Sequence, residues 1–313
     1  MEYPMLGTEI NLQIACSVNA GYSLPLLVML QSLVNTLRPP HRAVVRLIQR
    51  EPCHQTLDAI GSFMEVHSVA LTASNMSQLP RDSHFPPEAA VPLLLHSLLP
   101  EDMERVIFLD ADMLIVKDIS PIWLQSLAGR PFGAVQDSAI PTCGSPRGLD
   151  AARELGIPSD APYFNAGVLL LDLACWREER IAESALAYLR KPNVKHDFMH
   201  QGALNAVASD SWLPLDPMWN VPLTAGRWFD RTPESASVSP GIIHYAGQIK
   251  PWRTRTSGRF ANEYLEILRS VQSSHLIPNE RSTTKERLLG FYDRNLRSVF
   301  FPIEKSLWNR GLI

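Results

Sequence analysis

No two cysteines in this chain stand close enough to make a C-x-x-C pair. The four, Cys16, Cys53, Cys143 and Cys175, are widely scattered. That spacing fits neither a disulfide framework nor a zinc site, and reads as reduced thiols in a cytoplasmic setting. Long apolar runs are also missing, since none approaches the roughly 18 residues that a spanning helix requires. The opening stretch, MEYPMLGTEINLQIACSVN, lacks the basic start and apolar run of a secretory leader. A basic surplus is absent too. The formal net charge is -3, which removes the usual electrostatic case for a nucleic-acid partner. There is no internal repeat and no low-complexity tract.

What remains is an ordinary globular composition: 313 residues, 45% hydrophobic and 19% charged, enough for one large or two modest domains. NLQIACSV (Asn11 to Val18) reads as a buried strand, followed by the turn NAGYS. LPLLVMLQSLVNT then has apolar residues at helical spacing. AVVRLIQR and VHSVAL read as the next strands, with a short helix, TLDAIGSFM, between them. Further strands are expected at FGAVQ, GVLLLDL and GIIHYAG, and helices at PEAAVPLLLHSLLP, REERIAESALAYL and HQGALNAVA. Such alternation predicts an α/β sheet with parallel strands.

Four stretches carry candidate chemistry. RVIFLDADMLIVKD (Arg105 to Asp118) interrupts an apolar run with Asp110 and Asp112, where uncompensated charges would be costly. Residues two apart in an extended segment share a side, so both carboxylates can face one hard divalent cation. Two acids capping a strand end is the plain alternative. HYAGQIKPW (His244 to Trp252) sets an imidazole, a glycine and a lysine at i, i+3 and i+6. His244 could complete a metal shell, its nitrogen favouring Mn²⁺ over Mg²⁺. Gly247 would admit a phosphate close to the backbone, and Lys250 would supply a point charge. A turn glycine and a solvated lysine would explain the same stretch. PYFNAGVLLLDLACW places Asn165 and the small pair Ala166 and Gly167 just before a buried strand, suited to hydrogen-bonding a polyol. HQGALN offers His200 and Gln201 at the start of a helix.

The order of these stretches closely resembles glycosyltransferase family 8, over about Asn11 to Trp252. The resemblance implies a GT-A fold, a Rossmann-like mixed α/β sheet flanked by helices. It also implies a UDP-sugar donor, Mn²⁺ (with Mg²⁺ as the alternative ion) and transfer of a hexose with retention to a glycan or glycolipid acceptor, such as lipopolysaccharide. By resemblance Asp110, Asp112 and His244 hold the metal, while Lys250 and the Gly247 backbone contact the diphosphate. Tyr22 stacks on the uracil, and Asn19 lies in the same nucleotide-binding turn. Asn165, His200 and Gln201 face the donor sugar, with Gln201 as the candidate catalytic group supporting the developing cation. Asp137 matches a position near the acceptor.

The chain departs from the family pattern at three points. His200–Gln201 replaces Asp-Gln, Asn19 and Gly21 replace Asp and Asn, and Pro92 aligns with an arginine. The changes fall on sugar- and nucleotide-handling groups, which points to altered donor specificity. The alternative is a degenerate member that binds nucleotide-sugar without efficient turnover. A phosphatase of the haloacid dehalogenase type also uses D-x-D, but near its chain start and with a later acidic pair, which is missing here.

Residues 1–270 are read as the catalytic domain and 271–313 as a basic amphipathic, helical extension. Between Arg281 and Ile313 seven basic residues face three acidic ones, interleaved with Phe291, Phe300, Phe301 and Trp308. Such a segment suits peripheral contact with the inner face of the cytoplasmic membrane. A terminal helix packed on the core is equally compatible with it.

Overall fold

The computed structural model describes residues 9–79, 87–191, 199–223, 239–246, 250–253 and 259–275. Gly247 and almost all of the 271–313 extension lie outside them. A helix, Arg259–His275, runs across the expected 270/271 boundary.

Ten strands are present among the described residues: β1 (Asn11–Ser17), β2 (Arg42–Gln49), β3 (Glu65–Ala70), β4 (Arg105–Leu109), β5 (Met113–Ile115), β6 (Phe132–Gln136), β7 (Phe164–Asp172), β8 (Trp212–Pro214), β9 (Val221–Pro222) and β10 (Ile242–His244). Seven form one sheet in the order β3-β2-β1-β4-β7-β6-β8, and a small sheet has the order β5-β10-β9. The β3, β2, β1 and β4 neighbours are parallel, as the βα alternation predicts, but β7 runs antiparallel to both β4 and β6. The sheet is therefore mixed.

The core has a layer on each face of the large sheet. Alternation along β4 illustrates this: Ile107 and Leu109 join the layer under the helix Ser23–Thr36, while Val106 and Phe108 join the layer under the helices Ile181–Leu189 and Met199–Val207. Strand order reverses at β1, whose neighbours β2 and β4 lie on opposite sides. Crevices at the carboxyl ends of strands at such a switch point are where α/β sheets receive ligands.

Several sequence expectations need correction. PEAAVPLLLHSLLP does not form a regular α-helix. It winds as a 3-10 helix over Pro87–Leu94 and becomes α-helical only at Leu95–Leu98. Pro92 sits inside it, and a proline has no N–H to give the α ladder and collides with the carbonyl four residues back. REERIAESALAYL takes in only the last two residues of the helix Leu173–Glu178 before a break at Arg180, whose φ of 54° is left-handed, and then the helix Ile181–Leu189. FLDADMLIV is not one strand. The chain leaves the large sheet after Leu109, bends through Asp110–Asp112, and enters the small sheet at Met113. Asn165, Ala166 and Gly167 lie inside β7 rather than before it. β8 and β9, at three and two residues, were too short to leave a pattern.

Candidate active site

The bend after β4 brings Asp110 and Asp112 to the edge where the two sheets meet. Gly167 O accepts from Asp110 N at 2.9 Å, and Asp112 O accepts from Tyr245 N at 2.9 Å. One acid is thus pinned to each sheet. β10 is antiparallel to β5, with His244 opposite Met113, so the imidazole arrives beside both carboxylates. His244 Nε2 lies 3.3 Å from Asp112 Oδ1 and 3.7 Å from Asp110 Oδ2. One ligand atom from each of the three residues lies within 4.8 Å of the others. Lys250 Nζ donates to Asp112 Oδ2 and to Tyr245 O, each at 2.5 Å.

These charges set one another's protonation. Burial would push Asp112 up, but Lys250 and then His244 outweigh it and hold the carboxyl below the usual range. Burial first, and the neighbouring Asp112 second, push Asp110 up to about 6. Burial alone would lower His244 and Lys250, yet Asp112 keeps both above their ordinary values. Asp110 has the most open side chain, 35% exposed against 12% for Asp112 and 5% for His244. The cluster faces outward through it.

The donor set fits a divalent cation. Two carboxylates and a nitrogen ligand converge, and the excess negative charge is met only in part by Lys250. Close approach is built in at Gly167. A Cβ there would lie 2.5 Å from His244 Cε1 and 2.8 Å from Asp110 Oδ2, so no other residue leaves room for this pair.

A second group of side chains stands beside the first. Asp137 Oδ1 accepts from the backbone of Ala139 and Ile140, while Oδ2 accepts from Asn165 Nδ2 at 3.1 Å and Gln201 Nε2 at 3.3 Å. Gln201 Oε1 accepts from Ala166 N at 3.1 Å. Asn205, one turn along the same helix, clamps Phe164 through both its N–H and C=O. That clamp fixes the helix Met199–Val207 against the start of β7.

Sequence-expected residues thus fall into one connected set containing Asp110, Asp112, His244, Lys250, Asp137, Asn165 and Gln201. Tyr22 lies next to it, its ring edge-on to Trp252 at 5.9 Å, with Lys250 Nζ 5.7 Å from the Trp252 ring centroid. Asn19 spends its side-chain oxygen on Gly21 N at 3.0 Å, shaping the turn that carries Tyr22. Among the described residues neither ring nitrogen of His200 has a hydrogen-bond partner; both are buried, and burial pushes its pKa down to about 4. Two residues were not expected in this cluster from the sequence. Asn220 links Asn165 to His244, and Asn205 makes the clamp. An asparagine beside a buried tryptophan is the only local hint for Asn220, and it carries no spacing signal.

The model of the Glycosyl transferase family 8 matches residues 13–256. The chain belongs to that family. General stress protein A of Bacillus subtilis (strain 168) is 28% identical over 182 residues, 54% of this chain and 59% of that protein. Lipopolysaccharide 1,2-glucosyltransferase of Escherichia coli (strain K12) is 29% identical over 166 residues, 51% and 47% of the two chains. This family-8 chain therefore spans roughly half the length of those relatives. Among solved structures, galactosyltransferase LgtC in complex with donor and acceptor sugar analogues superposes with a TM-score of 0.68. It is 20% identical, covering 83% of this chain and 96% of that one. The apo bifunctional glycosyltransferase WbbM gives 0.69 at 16% identity, covering 89% and 52%. The fold is GT-A.

Proposed function

We propose that this family-8 chain is a retaining hexosyltransferase that moves a hexose from a UDP-sugar to a glycan or glycolipid acceptor with the help of Mn²⁺. The observation that carries the reading is the convergence of Asp110, Asp112 and His244 at the junction of the two sheets, with Lys250 held against Asp112.

Asp110, Asp112 and His244 would hold the cation, and the imidazole nitrogen favours Mn²⁺ over Mg²⁺. When bound, the ion supplies a Lewis acid that stabilises negative charge on the departing diphosphate. Lys250 adds a cation next to that charge, and the Gly247 backbone would line the same phosphate. Interactions that strengthen as the leaving group becomes anionic lower the barrier, rather than merely tightening substrate binding. Tyr22, on the turn shaped by Asn19, would stack on the uracil.

Asn165 and Gln201 would border the donor sugar. Gln201 Oε1 already accepts from Ala166 N, and an amide is a poor nucleophile, so the arrangement favours same-face attack over a covalent intermediate. The diphosphate oxygen would then take the acceptor hydroxyl's proton, and Gln201 would support the developing sugar cation. Asp137 holds the Asn165 and Gln201 amides from the acceptor side. His200 stands where the family places a carboxylate on the sugar, which favours a donor other than those used by members with that acid.

Acceptor class follows the lipopolysaccharide-type relatives. The catalytic unit is read as residues 1–270, and the basic, aromatic segment 271–313 as a contact with anionic lipid at the cytoplasmic membrane face. Among the described residues no helix is long and apolar enough to cross a membrane.

Manganese-dependent release of UDP, screened over a panel of UDP-sugars with the product analysed by NMR, tests the function and reports the anomeric outcome. Turnover with one donor supports it. Binding of UDP-sugar without turnover on any acceptor would favour the degenerate member instead, for which the partnerless His200 imidazole is the supporting observation. Truncation at Arg281 tests the membrane contact: equal co-sedimentation of both forms with anionic vesicles would remove it.

A further inference from the structure

The amides between the two halves of the site have a definite polarity, and its origin is a bulge in β7. Ala134 and Val135 are neighbours on β6, yet their partners on β7, Leu169 and Asn165, are four residues apart. Residues 166–168 leave the β6 ladder there, while β7 stays paired with β4 on its other side, Val168 opposite Leu109. Within this bulge the Ala166 and Gly167 N–H groups are not tied to β6. Buried donors of this kind need acceptors, and they find them in side chains. Ala166 N donates to Gln201 Oε1 at 3.1 Å, and Gly167 N to Asn165 Oδ1 at 3.0 Å.

A backbone N–H can only donate, so each of these contacts fixes which end of an amide is oxygen. The Asn165 oxygen therefore faces Gly167, and its NH₂ faces the Asp137 carboxylate at 3.1 Å, an acceptor that demands the same orientation. Asn220 approaches the same Asn165 oxygen at 2.8 Å and must present its own NH₂ there. The remaining end of Asn220 is then its carbonyl, which lies 3.0 Å from His244 Nδ1. A carbonyl only accepts, so Nδ1 must carry a proton. His244 Nε2 is left turned toward Asp112 and Asp110.

We propose that Asn220 is a positioning residue for His244. Its carbonyl holds the imidazole with the proton on Nδ1 and Nε2 aimed at the two carboxylates, under a polarity imposed by the Gly167 N–H through Asn165. The consequence for a cation rests on the metal reading above, whereas the hydrogen-bond polarity does not. Partners that hold the second nitrogen of a ligating histidine fix its tautomer and its ring orientation. Asn220 is only 5% exposed, so water does not substitute readily for it.

Two measurements on the full chain test this. In the first, the metal-free protein is labelled with ¹⁵N-histidine and observed by NMR. The wild type is expected to show a proton on His244 Nδ1 that exchanges slowly with water, and Asn220→Ala to lose that protection. A wild-type ring with its proton on Nε2 alone overturns the proposal. So does an Asn220→Ala protein with Nδ1–H protection unchanged.

The second measurement titrates Mn²⁺ and follows the free ion by EPR. Asn220→Ala is expected to weaken binding about 10- to 100-fold, in the range known for partners of metal ligands. Asn220→Asp, which keeps an acceptor for Nδ1, is expected to recover part of that loss. Asn165→Ala, two hydrogen bonds from the imidazole, is expected to weaken binding by a smaller factor. Equal affinity of wild type and Asn220→Ala overturns the proposal. If Asn220→Ala does not fold, the wild-type spectrum and Asn220→Asp still decide it. Wild-type protein that binds no Mn²⁺ would refute the metal reading, while the first measurement would still judge the polarity.

Discussion

At the Asp112 end of the site charged groups answer one another directly, whereas at the Gln201 end amides tied to backbone gather round one carboxylate, Asp137. Lys250 and His244 meet the carboxylates side chain to side chain, and the lysine is also tied to Tyr245 O. Gln201, Asn165 and Asn205 each hold a main-chain group of β7. The two ends respond differently to an incoming ligand. A charged pair can exchange one partner for an incoming ion or phosphate at little loss of Coulomb energy. An amide locked to a strand keeps its shape, because letting go would leave a buried N–H unsatisfied. One end is suited to exchanging partners, the other to holding a fixed outline. His200 belongs to neither, with two buried nitrogens and no partner.

The largest effect should come from breaking the charged end. Asp112→Ala removes a cation ligand and takes the ion-pair partner from Lys250, which is 9% exposed. Leaving one member of a buried pair uncompensated costs about 3–5 kcal/mol. Mn²⁺-dependent donor binding should vanish by calorimetry; unchanged affinity would sink the metal assignment. Next, Gly167→Ala forces a methyl into His244 and Asp110. Overpacking of this kind costs about 1–3 kcal/mol, and Mn²⁺ affinity should fall at least tenfold relative to a melting temperature that drops only modestly.

A smaller effect is expected where the small sheet meets the core. Ser32 Oγ accepts from Ile115 N at 2.9 Å and donates to Met29 O at 2.7 Å, fully enclosed. Ser32→Ala should cost about 1–3 kcal/mol by orphaning the Ile115 N–H, read as a shift in urea midpoint without a change in slope. The smallest effect at neutral pH concerns His200. Its pKa in the fold, about 4, is below the ordinary 6.5, so the unfolded chain binds the proton more readily. The stability this neutral imidazole contributes is complete above pH 6.5 and is lost as pH falls toward 4. His200→Leu should therefore match or exceed the wild type at pH 7 and gain about 2–3 kcal/mol on it by pH 4.5, measured by denaturant midpoints. Parallel pH profiles for the two proteins would show that His200 is not held neutral.

Legibility in the sequence followed the same divide. Asp110 and Asp112 stand out because charge inside an apolar run needs a reason, while the meeting of His244 and Lys250 with them was an expectation carried by the family resemblance. The parallel half of the sheet was equally readable from the alternation of strands and helices. The polarity chain was not, since it depends on a register shift between β6 and β7 that no local pattern announces. Asn165 was singled out, but as a residue before a strand, whereas its role comes from lying inside one. Asn220 stayed unassigned because its partners are 55 and 24 residues away. Pro92 was read through as α-helical, although its missing N–H argued for the tighter winding observed.

Asp110 directly follows β4 of the large sheet, Asp112 directly precedes β5 of the small sheet, and His244 ends the small sheet's central strand. An ion gripped by all three would rivet one sheet to the other at their shared seam. Amide hydrogens of Leu114 and Ile243 should then exchange more slowly with deuterium once the ion is added, with no sugar present. The seam would stiffen before chemistry begins.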